Sequence, residues 1–155
     1  MDEFGKMWDV FKDALSQKTY QDLILKGLYN TLMIAVFGLI IGIVIGTIIA
    51  IIKVRPKHLL LIKILDKICS VYVAIFRGTP MVVQLLIAYY VLLPILGISG
   101  VNPLVVGIWV FGLNSGAYVS EIMRGGLNSV DKGQLEAGRG IGLSYTQAML
   151  KIVIP

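Results

Sequence analysis

Long stretches without a charged side chain dominate this sequence. Residues 27–52 and 78–120 each contain no Asp, Glu, Lys or Arg. Because about 20 helical residues cross the hydrocarbon of a bilayer, the first stretch predicts one membrane span and the second predicts two. A turn-rich loop at 94–103 separates these two. We therefore predict spans at about 27–52, 79–97 and 104–123, and a fourth apolar segment that begins near Gln147.

Composition supports an integral membrane protein. Hydrophobic residues make up 57% of the 155 residues and charged residues 15%, against roughly 45–50% and about 25% in soluble domains. Such a chain has too little polar surface for a soluble enzyme, and disorder goes with low hydrophobicity. The predicted fold class is all-α and integral to the membrane, with three complete spans and the start of a fourth.

The placement of charge predicts the orientation of these spans. Lysines and arginines cluster at 53–67 and after residue 123, whereas the loop at 94–103 carries no charge. Positive residues mark the cytoplasmic side, which puts the N-terminus outside and residues 124–146 inside. The net charge of +5 then reports topology, and we expect no nucleic-acid partner.

Residues 1–22 differ from the rest, because they carry more acidic than basic side chains. Phe4, Trp8, Phe11 and Leu15 recur at helical spacing, which predicts an extracytoplasmic amphipathic helix on the membrane surface. Residues 59–77 predict a helix with one polar stripe along the cytoplasmic interface. Gly78 ends that helix, and we expect Thr79 to cap the next one.

Small residues recur every four positions on two of the predicted spans. They predict flat faces where another helix packs closely in lipid. The first span carries Gly38, Gly42 and Gly46, and the third carries Gly112 and Gly116.

The third predicted span also carries polar side chains, which are costly at membrane depth. Asn114 and Ser115 lie near its middle. They either line a translocation path or bond a neighbouring helix, and their spacing favours neither reading. Glu121 and Arg124 are three residues apart and predict an ion pair on one face.

Catalytic, metal and cofactor sites are not indicated by this sequence. His58 and Cys69 are its only histidine and cysteine, so no His/Cys metal cluster can form. The chain also lacks the glycine-rich phosphate loop with its lysine. We expect neither catalytic residues nor a cofactor.

The predicted cytoplasmic loop 124–146 contains the most informative segment. Residues 136–145 predict two short helical pieces joined near Gly142, with Ser144 as an N-cap. Such a projecting bent pair can dock into a groove of another protein, with Glu136 as its accessible charge. The alternative is a plain loop between spans.

At this loop the chain resembles a known family. Residues 136–155 match the EAA motif of ABC-importer membrane subunits, E-A-A-x3-G-x9-I-x-L-P, with glycine at 138 and isoleucine at 154 as departures. The matching positions are Glu136, Ala137, Gly142, Ile152 and Pro155. The segments 76–80, 114–118 and 121–126 resemble those of permeases for polar amino acids.

The resemblance implies a type-1 ABC importer transmembrane domain over residues 23–155. It implies that Glu136, Ala137, Gly138 and Gly142 form the coupling surface toward an ATP-binding subunit, and that Arg77 joins Asn114 and Ser115 as a path candidate. Expected partners are that ATPase, a second identical or sister membrane subunit, an extracytoplasmic binding protein and a polar amino acid such as histidine, glutamine or arginine.

The same resemblance implies a bacterial cytoplasmic membrane protein. Family members continue past the motif's proline with two further spans, so the sequence predicts a domain truncated at Pro155. Two alternatives stay open: a passive channel or secondary carrier, and a non-transporting helical subunit of a membrane complex.

Overall fold

All regular structure among the described residues is helical, as the sequence predicts. The computed structural model describes residues 3–55 and 59–154. Lys57, His58 and Pro155, the last residue of the motif, therefore lie outside the described residues. The helices are α1 (Glu3–Ser16), α2 (Lys18–Val54), α3 (Leu60–Gly78), α4 (Met81–Ile95), α5 (Pro103–Ser129), α6 (Lys132–Gly140) and α7 (Tyr145–Ala148, continuing as a π-helix over Met149–Val153).

Within residues 3–55 and 59–154, two helices are long and apolar enough to cross a membrane. They are α2 and α5, and both extend beyond the predicted spans 27–52 and 104–123. At 1.5 Å per residue α2 is about 55 Å long, so it exceeds the hydrocarbon thickness of about 30 Å. Helix α2 ends one residue before Arg55, whose backbone is extended, as expected for a residue that precedes a proline.

The predicted span 79–97 is α4, which at about 22 Å is too short to cross by itself. Helices α3 and α4 together have the length and apolar character of one span, but they meet at an angle of 107°. By length and composition, the described residues therefore contain two candidate spans, or three if this bent pair counts as one. The prediction that Thr79 caps α4 is wrong, because the N-cap is Pro80 and no side chain bonds the first turn.

Helix α4 widens into a π-helix over Ala88–Leu92. Pro94 lies two residues further and has no N–H to donate to the carbonyl of Tyr90, so the regular ladder cannot continue. The N–H of Leu93 donates to the carbonyl of Ala88 instead. The irregularity thus has a local cause in the proline.

Helices α2 and α5 form the centre of the bundle, packed through small residues. A Cβ atom added at Gly42 would lie 2.5 Å from Ser115 Oγ and 3.2 Å from the backbone nitrogen of Gly116, and one at Gly46 would lie 2.6 Å from Val119 Cγ1. Close approach of backbones is the usual basis of helix association in lipid, where dispersion contacts replace the hydrophobic effect. The glycines thus set the α2–α5 spacing.

Helix α3 packs across both of these helices. Cys69 and Val73 are buried against Ile49 of α2. The hydroxyl of Tyr72 donates to the carbonyl of Leu113 on α5. The end of α3, where the chain bends, is thereby held beside the middle of α5.

Candidate functional site

The helices α6 and α7 form a compact bent pair, as the sequence predicts. Asp131 caps α6 by accepting a hydrogen bond from the N–H of Gly133 at 2.6 Å. Ser144 and Gln147 form a reciprocal capping box at the start of α7, with bonds of 3.3 and 2.9 Å. Because side-chain acceptors bind one backbone N–H at the start of α6 and two at the start of α7, both short helices have defined N-terminal ends. We call residues 131–153 the coupling segment, after the role that the sequence predicts for it.

The bend between the two helices depends on Gly142. Its φ is +91°, a left-handed conformation that side chains with a Cβ rarely adopt. The N–H of Leu143 donates to the carbonyl of Gly138 at 3.2 Å, which closes the end of α6 in the manner of a glycine C-cap. The glycine therefore permits the reversal that brings α7 back against α6.

Gly138 lies at the contact between the two helices. It is buried, and a Cβ atom there would lie 2.6 Å from Ile152 Cδ1 and 3.3 Å from the Cβ of Ala148. Glu136 and Ala137, two and one positions earlier, are exposed. The two helices thus pack closely at Gly138, and the segment leaves a carboxylate and a small side chain on its outer surface.

Glu121 forms ion pairs with cationic side chains from three helices. Arg124, one turn along α5, approaches it at 2.7 Å, Lys53 of α2 at 3.0 Å and Arg77 of α3 at 3.8 Å. The predicted pair of Glu121 and Arg124 is confirmed. The sequence did not identify Lys53 or Arg77 as members, because both are distant in the chain. This partly buried carboxylate joins the C-terminal ends of α2 and α3 to α5.

Arg77 makes the longest of the three ion pairs with Glu121. Its side chain is 43% exposed, and its guanidinium lies 5.3 Å from the centre of the Tyr118 ring on α5. The two helices thus share a cation–π contact. Of the path candidates, Arg77 therefore contacts Glu121 and Tyr118 of α5, whereas Ser115 packs against Gly42 of α2.

Asn114 and Ser115 are adjacent in the chain but contact different helices. Ser115 packs against Gly42 of α2. Asn114 is 8% exposed, and its amide nitrogen donates to the carbonyl of Phe76 and to Gln84 Oε1, both at 3.1 Å. Of the two readings that the sequence left open, this geometry supports bonding between helices.

The bend between α3 and α4 is held by side-chain amides. The carbonyl of Phe76 would normally accept a hydrogen bond from residue 80, but Pro80 has no N–H. Gln84 Nε2 donates to this carbonyl at 2.8 Å and also to the backbone oxygen and hydroxyl of Thr79. Asn114 supplies a second donor. The carbonyls of Phe76 and Thr79 thus accept hydrogen bonds within the protein, as lipid requires. We call Phe76, Thr79, Gln84 and Asn114 the elbow.

Comparison with known sequences gives one family. The family described as "binding-protein-dependent transport system inner membrane component" matches residues 42–155. A protein of Rickettsia prowazekii named for a glutamine transport system permease is 41% identical over 85% of this chain. The arginine transport system permease protein of Bacillus subtilis is 38% identical over the same share. This chain spans 58% of the length of each relative.

Comparison with solved structures agrees. A crystal structure of an amino acid ABC transporter with histidines is similar with a TM-score of 0.74 and 35% identity. The similarity covers 91% of this chain and 63% of the other.

Proposed function

The chain belongs to the family of binding-protein-dependent transport system inner membrane components, and we propose on that premise that it is a membrane subunit of an ATP-driven importer of polar amino acids. Members of this family are permease subunits of ABC importers and are not themselves catalytic. In the proposed role, the chain contributes helices to the translocation path and transmits movement from an ATPase to those helices.

The coupling segment is the observation that carries this proposal. It presents Glu136 and Ala137 on a short, capped helix that is fastened to the next helix at Gly138. A rigid projection of this kind transmits force, because caps and close packing give it one conformation rather than many. Bound in a groove of the ATPase, it would move the α7 end of the bundle together with that subunit.

Three partners follow from this role. ATP hydrolysis takes place in the ATP-binding subunit that receives the coupling segment. A second membrane subunit, identical or sister, completes the path. An extracytoplasmic binding protein delivers the substrate. ATP binding would favour one of two arrangements of the membrane subunits, and substrate would shift the same equilibrium by its differential affinity.

A polar amino acid is the proposed substrate class. The similar proteins are named for glutamine and arginine transport, and the similar structure is described with histidines. These amino acids differ in their side chains and share a polar α-amino acid core. The chain would act in the bacterial cytoplasmic membrane, with the N-terminus outside and the coupling segment inside, as the distribution of positive charge favours.

Charge reversal at Glu136 tests the proposal. The variant Glu136→Arg is introduced into the intact permease and reconstituted with its ATPase and binding protein in liposomes. We expect ATP-driven uptake of radiolabelled glutamine, arginine or histidine to fall to background, because the variant replaces an exposed carboxylate by a cation on the surface that is proposed to enter the ATPase groove. Asp9→Arg, an equal reversal on exposed α1, serves as the control and should transport normally.

Two further measurements separate the alternatives. Uptake that persists without ATP under an ion gradient would favour a carrier or channel. Normal ATP-driven uptake by Glu136→Arg would contradict the coupling role. Co-purification with an ATPase but no substrate flux in any reconstituted complex would indicate a non-transporting subunit.

A further inference from the structure

Helix α1 carries an apolar face that the other described residues leave open. At about 100° per residue, five of its six large apolar side chains fall within an arc of about 100°, which is the width of a lipid-facing or core-facing stripe, and Val10 lies outside this arc. Each is between 40% and 78% exposed, and the helix has no buried residue. The five side chains within the arc, which we call the α1 face, are Phe4, Met7, Trp8, Phe11 and Leu15.

The opposite side of α1 is polar and almost balanced in charge. It carries three carboxylates and two lysines. Lys12 lies 5.5 Å from the centre of the Trp8 ring, which places a cationic tip at the border of the apolar face. This arrangement suits a helix whose lysine stem covers apolar surface while its head stays in water.

The α1 face is continuous with the surface of a membrane span. Helix α2 follows after one extended residue, Gln17, and the amide of Gln21 donates to the carbonyl of Leu15 at 2.9 Å, which fastens the two helices at the bend. The first turns of α2 expose Tyr20 and Leu23. Because α2 is long and apolar enough to cross the bilayer, its first turns and α1 lie where a span leaves the hydrocarbon.

We propose that α1 lies in the headgroup region of the bilayer, with the α1 face buried at the border of the acyl chains. The occupant of this face is the phospholipid surface itself. Since α1 has no excess of positive charge, binding rests on apolar contact and does not need anionic lipid, unlike the basic interfacial helices that follow surface potential. Trp8 then lies at shallow depth, where the amphipathic indole is favoured.

Tryptophan fluorescence tests this inference directly. The chain has two tryptophans, and Trp109→Phe leaves Trp8 as the single probe. The variant is reconstituted in phosphatidylcholine bilayers that carry bromine either near the headgroups or near the bilayer centre. We expect stronger quenching by the shallow bromines than by the deep ones, weak quenching by aqueous acrylamide, and the same result after phosphatidylglycerol is added.

Two substitutions connect the result to the α1 face. Phe11→Asp in the single-tryptophan background should abolish bromolipid quenching and restore acrylamide quenching. Ser16→Asp adds the same charge to the polar side and should change neither. Since α1 contributes nothing to the buried core, the helical circular dichroism of both variants should match the parent.

Three outcomes would overturn the inference. Acrylamide quenching of the parent without bromolipid quenching would place the α1 face in water. Protection from both quenchers would place it against protein, such as a second copy of the chain or another membrane subunit. A requirement for phosphatidylglycerol would assign binding to charge. None of these measurements depends on transport, so none of these outcomes decides whether the proposed function is correct.

Discussion

Adding one methyl group at Gly46 should loosen the α2–α5 packing. The Cβ of Gly46→Ala would lie 2.6 Å from Val119 Cγ1 and 2.9 Å from the backbone nitrogen of Ser120. The valine side chain can rotate, but the backbone nitrogen cannot move without its helix. Restoring an ordinary contact requires the two helices to separate by about 0.5 Å, which a close-packed interface resists.

The cost follows from this displacement. Overpacking a well-packed interface costs about 1–3 kcal/mol, while alanine favours the helix over glycine by about 1 kcal/mol. Gly27→Ala, on the same helix, isolates the helix-propensity gain, because a Cβ at Gly27 meets nothing within 4 Å. Both variants share the same propensity gain, so the difference in their unfolding free energies is the packing cost.

Unfolding in mixed micelles by titration with sodium dodecyl sulfate, followed by circular dichroism, measures this difference. We expect Gly46→Ala to unfold at a lower detergent fraction than Gly27→Ala, by about 1–3 kcal/mol. Gly38→Ala should fall between them, because its nearest atom would be Phe111 Cβ at 3.2 Å. Equal midpoints for the Gly46 and Gly27 variants would refute the view that glycine sets the helix spacing.

Two further predictions concern the elbow and the coupling segment. Gln84→Leu should destabilise the bundle by about 1–2 kcal/mol, since interhelical hydrogen bonds in membranes contribute about 0.6 and at most about 1.7 kcal/mol each. In a double-mutant cycle with Asn114→Leu by the same titration, additive losses would contradict a shared elbow. Gly142→Ala should cost about 1–2 kcal/mol of local stability, because left-handed φ is strained for alanine. Faster proteolysis within 139–146 would show it, while Gly140→Ala, whose Cβ meets nothing within 4 Å, should be cut like the parent.

Local features of this protein were readable from its sequence. Charge-free length identified α2 and α5, because a helix in lipid must be long and apolar whatever it packs against. The N-cap at Ser144 and the joint near Gly142 were equally local, since a cap involves only three or four consecutive residues. The break at Gly78–Pro80 was predicted for the same reason, although its cap was assigned to the wrong residue.

The partners of the polar side chains were decided only by the tertiary structure. Lys53 and Glu121 are separated by 68 residues, and no spacing rule connects them. Asn114 and Ser115 were grouped because they are adjacent, yet successive residues on a helix point about 100° apart and these two meet different helices. Gln84 had no evident role until its amide was found at the elbow.

The physical reason is the range of the forces involved. Helix length, caps and turns depend on interactions within about four residues, so the sequence by itself determined where the helices of this protein lie. Contacts between helices depend on the rotation and offset of one helix against another. Here the close approach of α2 and α5 at Gly42 and Gly46 sets both, and only that packing brings Lys53 to Glu121 and leaves Asn114 facing the elbow.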